Sequence, residues 1–80
     1  MRVKIEISLK DGVLDPQAKA IYNALLSLKF NCVNNVRILK TILIDIDTES
    51  KDIALSEADK MCKVLLANLV IETYKIEIES

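Results

Sequence analysis

One stretch, Leu9 to Ile21 (LKDGVLDPQAKAI), constrains the fold of this chain more than any other. It must end a strand, turn the backbone and open a helix within a few residues. Asp11-Gly12 supplies the turn, because glycine takes a positive φ at little steric cost. Asp15 stands where an N-cap belongs, and Pro16 at the first helical position has its φ already set. Upstream, Val3, Ile5, Ile7 and Leu9 alternate with Lys4, Glu6 and Ser8. That is the period of a strand over residues 3–9 with one wet face.

Downstream, a helix is expected from Pro16 to about Leu28, with Ile21, Ala24, Leu25 and Leu28 as its apolar stripe against the sheet. Its end lacks a glycine, so Lys29 or Asn31 must take the left-handed position, and asparagine does so more readily. From Val33 to Asp47 the pattern reads as two strands or one bent strand. Lys40 falls on the inward parity of Val36, Ile38, Ile42, Ile44 and Ile46, which predicts a break or bulge near Leu39-Lys40. A second helix runs from about Lys51 to Ala67, with Ser50 as a possible cap. Ala54, Ala58, Met61, Cys62, Leu65 and Leu66 form its stripe, and Asn68 stands where asparagine ends helices in the left-handed conformation. Val70 to Ile78 is the last strand.

The order is βαββαβ in a single domain. It fits an α+β, two-layer fold with a mostly antiparallel four-stranded sheet and two helices on one face, ferredoxin-like or a close relative. The tetrapeptide KIEI occurs at residues 4–7 and again at 75–78. In that topology the two copies are antiparallel neighbours, able to pair Lys with Glu across the wet face.

Composition narrows the function. Eighty residues, 51% of them apolar but with only Tyr22, Phe30 and Tyr74 aromatic, give a small aliphatic core and surplus apolar surface. A homo-oligomer is the expected consequence. A net charge of −1 and the lack of a basic aromatic patch argue against nucleic acid, and no apolar run reaches membrane-spanning length. The N-terminus lacks the continuous apolar core of a signal peptide, so the expected location is cytoplasmic.

With no histidine and one glycine, the chain cannot build a Ser/His/Asp triad, a Cys/His zinc site or a glycine-rich nucleotide loop. Cys32 and Cys62 are expected to be reduced, Cys62 as a small buried hydrophobe. Asp45, Asp47 and Glu49 recur at every second residue but fail the EF-hand pattern, and solvated carboxylates explain them better than a metal does. Lys10, Arg37 and Lys40 can gather at one end of the sheet, where they would hold a phosphate or a partner's carboxylate, or simply be surface cations. The residues alone describe a small interaction or oligomerisation module with no catalytic set.

Three blocks also resemble a known family. LKDGVLDPQAKAI, VRILKTILIDI (Val36 to Ile46) and MCKVLLANLVIETY (Met61 to Tyr74) are similar, in order and spacing, to the PurS-type small subunit of phosphoribosylformylglycinamidine (FGAM) synthase. Ala18, Lys29, Leu39, Leu69 and Thr73 stand where that family usually has Gly, Gly, Gly, Pro and Asp. The resemblance implies a non-catalytic subunit, as a homodimer or homotetramer, that bridges a large synthetase subunit and a glutaminase subunit and helps shield ammonia in transit. ATP and magnesium are then expected in the large subunit, and no cofactor in this chain. It also marks Lys10, Asp15, Gln17, Arg37, Lys40 and Asn68 as candidate partner contacts, although Asp15 and Asn68 have sufficient reason to exist as helix caps. Two rival readings are a free-standing ferredoxin-like regulatory module that binds a small ligand, and an autonomous enzyme with a raised-pKa carboxylate in a dimer cleft.

Overall fold

The structure, a computed structural model, describes residues 1–79. In chain order it has β1 (Arg2–Leu9), α1 (Pro16–Ser27), β2 (Lys40–Asp45), α2 (Lys51–Met61) continued by a π-helical turn (Cys62–Leu66), and β3 (Glu72–Glu79). The strands form one antiparallel sheet in the order β2-β1-β3. Alternation in β1 buries Val3, Ile5 and Ile7 against Ala54, Ala58 and Cys62 of the second helical segment. The small alanine and cysteine side chains let the helix backbone approach the sheet closely. Ile42, Ile44, Tyr74, Ile76 and Ile78 flank this core, half-buried.

Among the described residues the sheet has three strands, where the alternation predicted four. The break at Leu39-Lys40 is real, since β2 begins at Lys40, but residues 33–39 pair with nothing as a strand. The outer edge of β2 stays unpaired among the described residues, and Asn34-Asn35 bring no apolar side chain to bury against the sheet.

The expected pair of helices on one face is likewise reduced to one. α2 packs on β1 and β3, whereas α1 contributes nothing to the core cluster. Of its expected stripe, Ile21 and Leu28 are exposed and Leu25 is half-buried; its one buried residue is Ala18. β1 and α1 are about 26 Å and 18 Å long at standard rises. A longest dimension of 49 Å therefore places α1 beyond the end of the sheet rather than on it.

The KIEI copies are neighbours in the expected antiparallel register, with Lys4 opposite Glu77, Ile5 opposite Ile76 and Glu6 opposite Lys75. The close ion pairs, however, run along each strand: Lys4 to Glu6 at 3.4 Å and Lys75 to Glu77 at 3.0 Å.

Helix ends follow local chemistry. Asp15 Oδ1 accepts from the backbone N–H groups of Gln17 and Ala18, both at 3.1 Å, and Ser50 Oγ accepts from Ile53 at 3.3 Å. At the end of α1, Lys29 and not Asn31 takes the left-handed conformation, with φ 74°. The bonds Phe30 N–H to Leu25 O and Lys29 N–H to Leu26 O, both 3.0 Å, form a Schellman motif whose left-handed position is Lys29; Asn31 comes two residues too late.

Asn68 is not left-handed either. Ala67 leaves the π turn in an extended conformation, and Asn68 folds an Asx turn instead, its Oδ1 accepting from Val70 N–H at 3.1 Å. The π turn also overturns the expected burial of Leu65, which is 80% exposed. Its i→i−5 bond, Ala67 N–H to Cys62 O at 3.1 Å, adds a residue to the turn and rotates Leu65 off the buried stripe.

Candidate functional site

Antiparallel pairing decides where the candidate residues meet. The C-terminal end of β1 lies beside the N-terminal ends of both β2 and β3, so everything that leaves β1 or enters the other strands there shares one end of the sheet. Lys10 follows β1 directly, and its N–H donates to Ile71 O at 2.8 Å. Lys40 opens β2 opposite Ile7. Asn68 lies four residues before β3, whose Glu72 is opposite Leu9. Asp15 and Gln17 start α1 after the Asp11-Gly12 turn, and Arg37 leads into β2.

The turn is closed by Val13 N–H to Lys10 O at 3.1 Å, with Gly12 at φ 84°. A Cβ there would meet no atom within 4 Å, so backbone conformation rather than space demands glycine. The corner and residues 34–38 enclose a cleft of about 540 Å³. Lys10, Asp15 and Arg37 line it, joined by Lys19, Tyr22, Asn34 and Asn35. Gln17, Lys40 and Asn68 stand outside it. The candidates are thus gathered at one end, with three of the six in the cleft.

Sequence reasoning misses Lys19, Tyr22, Asn34 and Asn35 as parts of this cleft. Periodicity places Lys19 on the solvent side of a sheet-packed helix, and alternation places the asparagines in a strand. The available signal is Asn34-Asn35 itself, a polar pair poorly suited to a strand interior.

The cleft carries the cations of Lys10, Lys19 and Arg37 against the carboxylates of Asp11 and Asp15. Asp15 is already engaged by two backbone N–H groups, which leaves the guanidinium and ammonium groups to meet an outside acceptor. Nothing here resembles a nucleophile with its base. Every buried residue in the described chain is apolar or Cys62, whose thiol burial pushes up towards the neutral form. Both cysteines are free, Cys32 exposed and Cys62 buried. Asp45 is held by Arg2 at 2.9 Å, and among the described residues no group of three His, Cys, Asp or Glu side chains is placed to hold a metal ion. No helix among them is long and apolar enough to cross a membrane.

Comparison with known proteins places the chain in a family. The family described as "PurS: Phosphoribosylformylglycinamidine (FGAM) synthase" matches residues 2–80. The phosphoribosylformylglycinamidine synthase subunit PurS of Bacillus subtilis is 44% identical, covering 98% of this chain and 92% of its own. The crystal structure of Methanocaldococcus jannaschii PurS, described as one of the subunits of formylglycinamide ribonucleotide amidotransferase, superposes with a TM-score of 0.89 at 41% identity, over 98% of this chain and 94% of that one. A chain in the structure of PurLQS from Thermotoga maritima gives 0.86 at 29% identity, over 95% and 93%. Matched from end to end in sequence and in fold, the chain belongs to the PurS family of FGAM synthase subunits.

Proposed function

We propose that this chain is the non-catalytic small subunit of FGAM synthase in de novo purine biosynthesis, acting in the cytoplasm. As a homodimer or homotetramer it bridges a large synthetase subunit, which binds ATP and magnesium, and a glutaminase subunit, and it assists the passage of ammonia between them. The observation that carries this reading is the likeness, over 95% of the chain, to a chain within the Thermotoga maritima PurLQS structure. The site chemistry supports it: cations and amide groups collect at one end of the sheet, suited to a partner's carboxylates, and among the described residues no buried acid or base accompanies them.

The contact surface is the sheet end that carries Lys10, Asp15, Gln17, Arg37, Lys40 and Asn68. Arg37 is the strongest contact, because its planar fork matches a carboxylate and no ion pair within the chain occupies it among the described residues. Sizing chromatography of the three subunits mixed with ATP, magnesium and glutamine tests assembly. The chain co-elutes with the large subunit and the glutaminase if the reading is right; elution of the chain alone discards it.

A further inference from the structure

One end of the sheet holds positive charge that the chain itself does not use. Lys10, Lys19 and Arg37 line the cleft of about 540 Å³ from three different segments: the end of β1, α1 and the approach to β2. Among the described residues none of the three is paired with a carboxylate, whereas Arg2, Lys4, Lys60, Lys63 and Lys75 all are. Two carboxylates, Asp11 and Asp15, stand against the three cations, and Asp15 Oδ1 is committed to the α1 cap. The unengaged charge is therefore positive.

The walls narrow the ligand further. Tyr22 follows Lys19 by one helical turn on the same face of α1 and is half-buried, the sole aromatic ring of the lining. Asn34 and Asn35 bring amides that both donate and accept. Their backbone N–H groups, like those of Val36 and Arg37, have no partner among the described residues. A carboxylate offers two oxygens and a single charge. A phosphate monoester offers three terminal oxygens and a charge of about −1.5 to −2 at pH 7, which a guanidinium fork and two ammonium groups match better. The volume lies within the ~300–1,000 Å³ of small-molecule sites and leaves room for an organic group beyond the phosphate.

We propose that this cleft binds a phosphate monoester carrying a planar aromatic group, of the nucleoside monophosphate type. Arg37, Lys10 and Lys19 hold the phosphate, the aromatic group stacks on the Tyr22 ring, and the Asn34 and Asn35 amides hydrogen-bond its edge. Side chains thus do what a glycine-rich loop does elsewhere. Arg37 serves one acceptor at a time, so a filled cleft meets a partner subunit through Gln17, Lys40 and Asn68, which stand outside it. That consequence rests on the bridging reading; the site itself does not.

Calorimetric titration of the full chain with AMP, adenosine and ribose 5-phosphate tests the site. AMP binds saturably, and the other two bind at least ~10-fold more weakly, adenosine for want of the phosphate and ribose 5-phosphate for want of the ring. Arg37→Ala weakens AMP at least ~10-fold, and Tyr22→Leu does the same while leaving ribose 5-phosphate unchanged. Lys75→Ala, on the wet face of the sheet, alters neither, and each variant keeps its far-UV circular dichroism. No saturable AMP binding at millimolar concentration, or equal binding by the wild type and Arg37→Ala, overturns the site and leaves the bridging role intact. Ribose 5-phosphate binding as tightly as AMP overturns the Tyr22 platform. AMP binding as described in a chain that joins no complex overturns the bridging role alone.

Discussion

The Tyr74 hydroxyl donates to Asp59 Oδ1 over 2.5 Å, while Lys63 Nζ meets Oδ2 of the same carboxylate at 2.8 Å. One acid on α2 thus joins β3 to the π turn, above the buried Cys62. Lys63, and after it Tyr74, hold the Asp59 carboxyl below its usual 3.8; the Asp59 hydrogen bond, followed by burial, pushes the Tyr74 hydroxyl above its usual 10.0.

The pH dependence of stability follows from those two directions. A depressed carboxyl contributes stability that is fully present above 3.8 and lost as pH falls through the lower folded value. A raised phenol contributes stability present below 10.0 and lost as pH rises through the higher folded value. Tyr74→Phe removes the hydroxyl and keeps the ring. The difference in Tm between the wild type and Tyr74→Phe is therefore largest between those limits and shrinks at both extremes, as thermal melts across pH will show. A constant difference throughout would deny the hydrogen bond any part in stability.

Lys29 carries a side chain in a conformation suited to glycine. Left-handed geometry costs a non-glycine residue about 1–2 kcal/mol, so Lys29→Gly stabilises the chain by about 1 kcal/mol after glycine's greater unfolded-state entropy is subtracted. Urea denaturation shows a raised midpoint with an unchanged slope. A lowered midpoint would mean that the Lys29 side chain makes a contribution of its own.

Asp15 caps α1 through two N–H groups, and Asp15→Ala costs about 1 kcal/mol. The loss falls on a helix that the sheet does not hold, so amide exchange accelerates first in residues 16–20. Uniform acceleration through β1 would show that the corner and the sheet unfold together.

Cys62 fills a fully buried position opposite β1. Cys62→Ser places a hydroxyl there without room for water and destabilises by about 1–3 kcal/mol, whereas Cys62→Ala costs less because it leaves no unsatisfied polar group. Paired chemical denaturation curves give the order of the two variants directly.

Local rules carry much of the fold. The Asp15-Pro16 cap, the Gly12 turn, the alternation of β1 and the close-packing Ala54, Ala58 and Cys62 are each decided by a few neighbouring residues, and each is readable from them. Local rules fail where a distant surface decides. The stripe of α1 is legible as apolar, but apolar periodicity cannot distinguish burial in the chain's own sheet from exposure to another molecule, and Ile21 and Leu28 prove exposed. Residues 33–39 alternate like a strand but leave the outer edge of β2 unpaired, because Asn34 falls on the apolar parity of Val36 and Ile38. Leu65 escapes its expected place because a single i→i−5 bond changes helical phase without a sequence mark of its own. In the candidate site, strand order correctly brings Lys10 and Arg37 together, but Lys19 and Asn34 join them only because α1 lies off the sheet.

The bridging role is tested most directly by the nitrogen source. FGAM synthesis by the large subunit and the glutaminase is measured with and without this chain, first with glutamine and then with ammonium. The bridging account predicts that glutamine-driven synthesis requires the chain while ammonium-driven synthesis proceeds without it, and that Arg37→Ala/Lys40→Ala lowers only the glutamine-driven rate, by about tenfold or more if those cations are hot spots. Equal glutamine-driven rates with and without the chain would contradict it.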